Sequence, residues 1–113
     1  MSVLERATAH FESRPVMEME VPEWGEGGKP LVVCYQTPNS ATLSKVVRES
    51  KGDLIEQAAR LVALCAKGRD GERLFQPLDY KDLMIRADPG VIDRLAASIL
   101  KGASIEVERA EKN

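Results

Sequence analysis

From Leu54 to Lys67 the chain carries apolar side chains over most of a helix's circumference. Leu54, Ala58, Leu61 and Cys65 share one face, and Ile55, Ala59, Val62 and Ala66 share the adjoining one. Only a narrow stripe through Glu56, Arg60 and Lys67 is polar. A helix of this kind is packed on several sides, so the rest of the chain has to supply its neighbours. Glu56 and Arg60 stand at i,i+4 in the favourable order for an ion pair. Gly68 is the expected C-terminal cap, and Asp53 the expected N-terminal one.

The neighbours fall on both sides in sequence. Ser2-Val3-Leu4-Glu5 is a capping box, and Leu4, Ala7 and Phe11 follow on one helical face until Pro15 stops the helix near Ser13. So short a helix needs a partner to persist. The period then changes to two: Met17, Met19 and Val21 alternate with Glu18 and Glu20, which predicts a half-buried strand. Leu31-Val32-Val33-Cys34-Tyr35 predicts a second. The intervening Pro22 to Pro30 is too long for a tight turn and reads as a wide hairpin loop. A lone hairpin is marginal in water, so its apolar side should lie on helices.

Asn39-Ser40 offers a cap for a helix with a Leu43, Val46, Val47 stripe, closed by Gly52. Beyond the central helix, Asp70-Gly71 predicts a turn and Leu74-Phe75 a return to the core. Asp79 should cap a short helix presenting Tyr80, Leu83 and Met84 to one side. Asp88 and Pro89 should open a last helix with Val91, Ile92, Leu95 and Ile99 buried, ended by Gly102. The expectation is a single α+β domain over 1–113, mainly helical, with one N-terminal β-hairpin packed on a helical bundle. Its parts are an N-terminal helix (1–13), the hairpin (16–37), a helical core (40–102) and a flexible tail (103–113).

Composition narrows the function. With 113 residues the chain suits one domain. Sixteen Lys and Arg against 18 Asp and Glu leave a net charge of −2, which argues against nucleic acid and gives no reason to bind an anionic membrane. No apolar run has the length of a membrane span, and the first dozen residues lack the apolar core of a signal peptide. Cys34 and Cys65 are the only cysteines, each among apolar neighbours, which reads as small buried hydrophobes in a reducing cytoplasm.

Sites for chemistry are few. His10 is the only histidine, so a histidine-built metal site is excluded, and a solvated side chain is the simpler reading. Gly25-Glu26-Gly27-Gly28-Lys29 has the wrong spacing for a phosphate cradle, because Glu23 stands where the first glycine belongs and Pro30 follows the lysine. Asp70-Gly71 fails as a calcium loop, with Ala66, Gly68 and Pro77 at ligand positions. Glu18 and Glu20 read as a solvated strand face. No catalytic, cofactor-binding or metal-binding residue is expected. Trp24 has two readings: a lid folded on the hairpin or first helix, or an exposed aromatic anchor for a partner.

At Met19-Glu20-Val21-Pro22-Glu23-Trp24-Gly25 the chain resembles the tail assembly chaperones of long-tailed, siphovirus-like bacteriophages and prophages. The resemblance continues through the apolar helix, Asp70-Gly71, Leu74-Phe75, a short helix with Leu83 and a final amphipathic helix. The Glu26 to Pro30 insertion departs from it, since a shorter turn is expected there. The resemblance implies a non-enzymatic protein of the bacterial host cytoplasm, absent from the mature virion. Its partners would be the tape measure protein, kept soluble for tail-tube assembly, and the tail-tube subunits. Self-association is left open. Pro22, Glu23, Trp24 and Gly25 are then the candidate partner-binding residues. The family often makes a longer product by a minus-one frameshift, and Glu111-Lys112-Asn113 is compatible with a slippery GAA-AAA-AAC; an ordinary charged tail is the alternative. The competing functions are a small bacterial adaptor domain with an unrelated protein partner, and a small enzyme using Cys34 or Cys65.

Overall fold

A capped but uncovered helix begins the chain. The Ser2 hydroxyl accepts the Glu5 amide at 3.1 Å, and helix α1 (Val3–Glu12) ends at Ser13, ahead of Pro15. The computed structural model describes the backbone of residues 2–112 and the side chains of residues 2–101. Helix α1 buries none of its side chains: Leu4 is 75% exposed and Phe11 41%.

The two strands form as their periodicity predicts, but the connection between them does not. Strand β1 (Met17–Glu26) and strand β2 (Lys29–Tyr35) run antiparallel, with Met17 opposite Tyr35, Met19 opposite Val33 and Val21 opposite Leu31. The wide loop expected over Pro22 to Pro30 is absent. Gly27 (φ +60°) and Gly28 (φ +78°) make a tight two-residue turn, and Glu26 pairs directly with Lys29. Two adjacent left-handed residues match the twist of a hairpin, which only glycine-like positions tolerate. The extra length is absorbed earlier, where residues 22–25 of β1 face the single Pro30 of β2 in a large bulge.

The inward faces of the strands, with Val21 and Val33 fully buried, lie on the helices. Helix α2 (Ser40–Ser50) is capped by Asn39, whose side chain accepts the Thr42 amide at 2.8 Å; Val46 is buried and Val47 half exposed. The left-handed Lys51 and Gly52 turn the chain into Asp53, which caps helix α3 (Leu54–Cys65) by accepting the Ile55 and Glu56 amides. Helix α3 is the centre of the fold: Ala59, Leu61, Val62, Ala63 and Cys65 are buried. It packs against α2, against helix α4 (Tyr80–Arg86) and against helix α5 (Pro89–Lys112), which contributes Val91, Ile92, Leu95, Ala96 and Ile99.

Helix α3 stops earlier than its apolar run suggests. Ala66 is extended, and Lys67 exchanges hydrogen bonds with Cys34 of β2 (2.7 and 2.9 Å) and bridges to Arg73. The edge of β2 thereby gains a partner for backbone groups that a helix would have left open. Gly68 is consequently not the helix cap; its amide donates to the Glu72 carbonyl in the Asp70-Gly71 turn. Leu54 and Ile55, assigned to the buried faces, are 76% and 70% exposed: among the described residues no apolar side chain closes over the first turn of α3, and Ile55 stands at the rim of a depression it shares with α4 and α5.

Asp79 does not cap α4 through its side chain. Its carboxylate accepts the Gln76 amide at 2.8 Å and closes the preceding 3-10 turn (Pro77–Asp79). Asp88 does cap α5, accepting the Gly90 amide at 2.7 Å. The backbone of α5 continues past Gly102, the expected end, to Lys112. The flexible tail expected over 103–113 falls among residues whose side chains lie outside the described set. Among the described residues no helix is long and apolar enough to cross a membrane.

Candidate functional site

The bulge in β1 brings three of the four residues of the Pro-Glu-Trp-Gly element into internal contacts. Glu23 accepts two hydrogen bonds from Arg94 of α5, at 2.8 and 3.1 Å, and this bidentate pairing holds its carboxyl below the usual range. Trp24 is half-buried against the core and meets Phe75 edge-to-face, with ring centroids 6.0 Å apart. Gly25 passes under the returning strand: a Cβ there would lie 2.0 Å from the Lys29 carbonyl oxygen. Pro22 is exposed. The element therefore ties the hairpin to α5 and to the Leu74-Phe75 segment. Trp24 does act as a cover, but over Phe75 and the main core and not over the first helix.

The two cysteines line one cleft of about 960 Å³ between α1, α2, β2 and the end of α3. Both are free and buried. Burial pushes the Cys65 thiol up to about 11. Burial also raises Cys34, and the Glu18 carboxylate, 3.9 Å from its sulfur, adds to the effect. Both thiols hold their protons at neutral pH, the opposite of what a nucleophile needs. His10 is exposed on α1. Arg60 borders the same cleft. It meets Glu56 at 2.9 Å, as the i,i+4 spacing predicts, and also Glu49 of α2 at 2.9 Å, while its guanidinium lies 4.0 Å over the Tyr80 ring. One side chain thus joins three helices, of which the sequence shows one partner. Among the described residues no three His, Cys, Asp or Glu side chains converge as a metal site.

A second depression has a different character. It opens between the first turns of α3, the end of α4 and the start of α5, with a volume of about 330 Å³. Ile55, Ala58, Leu83, Met84, Ala87 and Ile92 line it, and Asp93 is the charged residue at its margin. Leu83 and Ile92 form the buried floor, while Ile55 (70%) and Met84 (38%) stand open to solvent. Leu54 and Ile85, the chain neighbours of Ile55 and Met84, are exposed as well. Apolar surface gathered in a concave site between helices suits the apolar stripe of another helix better than it suits catalysis. Sequence reading missed this groove because periodicity placed Leu54 and Ile55 in the core.

Compared with known proteins, the chain matches no family model, no curated protein and no solved structure.

Proposed function

We propose that this chain is a non-enzymatic assembly chaperone of long-tailed bacteriophages, acting in the bacterial host cytoplasm. It holds an apolar helical segment of the tape measure protein, keeps it soluble, and promotes assembly of tail-tube subunits around it. The observation that carries the reading is the groove between α3, α4 and α5, whose apolar floor and open Ile55 and Met84 rim fit a helix presenting residues at i, i+3 or i+4, and i+7. The resemblance at Val21-Pro22-Glu23-Trp24-Gly25 supplies the identity of the partner. The contacts of Glu23, Trp24 and Gly25 within the chain give that element an internal role, so the reading moves partner binding from Pro22–Gly25 to the groove.

Co-expression with candidate tape measure and tail-tube proteins tests the proposal. The expected result is a soluble complex with the tape measure protein that Ile55→Glu abolishes at an unchanged melting temperature, since Ile55 is exposed. Failure to co-purify with the tape measure protein, or full binding by Ile55→Glu, overturns it. An adaptor with an unrelated helical partner would use the same groove and is separated by which protein co-purifies.

A further inference from the structure

We infer that the cleft between α1, α2, β2 and the end of α3 binds the doubly charged phosphate group of a small ligand, shared between Lys67 and Arg73. The inference is independent of the groove between α3, α4 and α5 and of the phage reading. It starts from a row of residues that the backbone builds across four segments. Glu18 stands opposite Cys34, Cys34 opposite Lys67, and Lys67 opposite Arg73. Directly opposite residues of antiparallel segments project from the same face, and all four line the cleft. The row therefore ends in two adjacent cations.

Their pairing is of the closer kind. The Leu74 amide donates to the Ala66 carbonyl at 3.1 Å and the Gly68 amide to the Glu72 carbonyl at 2.9 Å, which leaves Lys67 and Arg73 as a non-hydrogen-bonded pair between those bonds. Such pairs bring side chains nearest, with Cα atoms about 4.5 Å apart. Like charges so placed repel and destabilise the pairing. The other cations of the cleft are engaged: Arg14 donates to the Thr37 carbonyl, Lys45 and Arg60 meet Glu49, and Arg69 lies 3.8 Å from Glu18. Lys67 and Arg73 make no ion pair with a carboxylate among the described residues. Both charges also act on the Cys65 thiol in the cleft wall, opposing the rise that burial imposes on it. An unrelieved like-charge pair in a concave site breaks a local rule of sheet pairing, and such breaks concentrate where function requires them.

A phosphate group relieves this pair. It carries a charge of about −1.5 to −2 at neutral pH, so one group neutralises both cations and accepts hydrogen bonds from each. Two carboxylates would bring their own repulsion into the same space. Arg69, two residues from Lys67, is 70% exposed and only loosely held by Glu18, and it adds a third donor. The cleft volume of about 960 Å³ leaves room for the organic part of a phosphate ester. A nucleic acid strand fits poorly, because the chain as a whole carries a charge of −2.

Titration calorimetry and backbone amide shifts of the full chain with inorganic phosphate, phenyl phosphate and phenyl sulfate test this. The expected result is binding of both phosphates, weakened at least about tenfold by Lys67→Gln and by Arg73→Gln and changed less than about twofold by Lys45→Gln. Tighter binding of phenyl phosphate assigns the site to an ester, and equal binding assigns it to free phosphate. Without phosphate, both variants at the pair should melt about 2 °C above wild type, since each removes one side of the repulsion. Lys67 and Arg73 are exposed, so neither substitution threatens the fold. Absence of binding by either phosphate up to about 10 mM overturns the inference. So does equal binding of the singly charged phenyl sulfate, undiminished binding in the two variants, or a variant at the pair that melts no higher than wild type.

Discussion

Gly25→Ala tests the bulged hairpin most sharply, because the two geometries considered for this segment give opposite signs. In a wide solvent-exposed loop, replacing glycine by alanine removes unfolded-state freedom and stabilises by about 0.4–1 kcal/mol. In the structure the new Cβ would stand 2.0 Å from the Lys29 carbonyl oxygen and 2.9 Å from the Pro30 Cα. Both are backbone atoms and cannot rotate away. Relieving the overlap moves one strand by about 1 Å, an overpacking cost of about 1–3 kcal/mol. The movement also disturbs the adjoining Trp24–Phe75 contact, so a total of about 3 kcal/mol is expected. For a domain of this size that lowers the melting temperature by about 12 °C. The two turn glycines provide the internal control. Nothing lies within 4 Å of a Cβ built at Gly27 or Gly28, but both have positive φ. Gly27→Ala should therefore cost about 1 kcal/mol from backbone strain alone. Gly27→Asn should be close to neutral, since asparagine followed by glycine is favoured in this turn. Thermal melts and urea titrations of the three variants measure the series. A Gly25→Ala protein as stable as wild type, or less affected than Gly27→Ala, would refute the close approach of the strands.

Three further outcomes are expected. Trp24→Ala should cost about 2 kcal/mol, roughly half the value for a fully buried aromatic, and leave binding at the groove intact; loss of binding without loss of stability would restore Trp24 as a partner anchor. Leu61→Ala, at a position 3% exposed in α3, should cost about 2–5 kcal/mol in urea unfolding, and an unchanged midpoint would mean the helix face is misassigned. Cys65 is raised in the folded state to about 11, so the unfolded chain loses this proton first as pH rises. Its contribution to stability is full below the ordinary thiol range and falls between pH 9 and about 11, by up to about 1.4 kcal/mol per pH unit. Unfolding curves of Cys65→Ala should lack that part of the alkaline loss, and an identical pH profile in the variant would contradict it.

What the sequence determined by itself is everything that acts over a few residues. The alternation of Met17, Met19 and Val21 placed a strand with Val21 inward, and the apolar circumference of residues 54–67 identified the helix that sits at the centre, with Leu61 buried. The caps at Ser2, Asn39, Asp53 and Asp88 were legible for the same reason: each side chain satisfies amides two or three residues away. The Glu56–Arg60 pair is one helical turn long and was equally visible. The tertiary structure decided what depends on segments far apart in the chain. Where β1 bulges was set by the docking of Glu23 on Arg94 and Trp24 on Phe75, contacts 71 and 51 residues apart in sequence, which no local period encodes. Lys67 left its helix because the edge of β2 offered backbone partners, and the hydrogen bonds of an edge outweigh one more helical turn. The candidate site was the least legible part. The same apolar residues make a core where a neighbour arrives and a groove where none does. Val62 and Ile55, two turns apart on the same face of the helix, differ in that Val62 sits in the core beside α4 and α5 while Ile55 stands at the open rim of the groove.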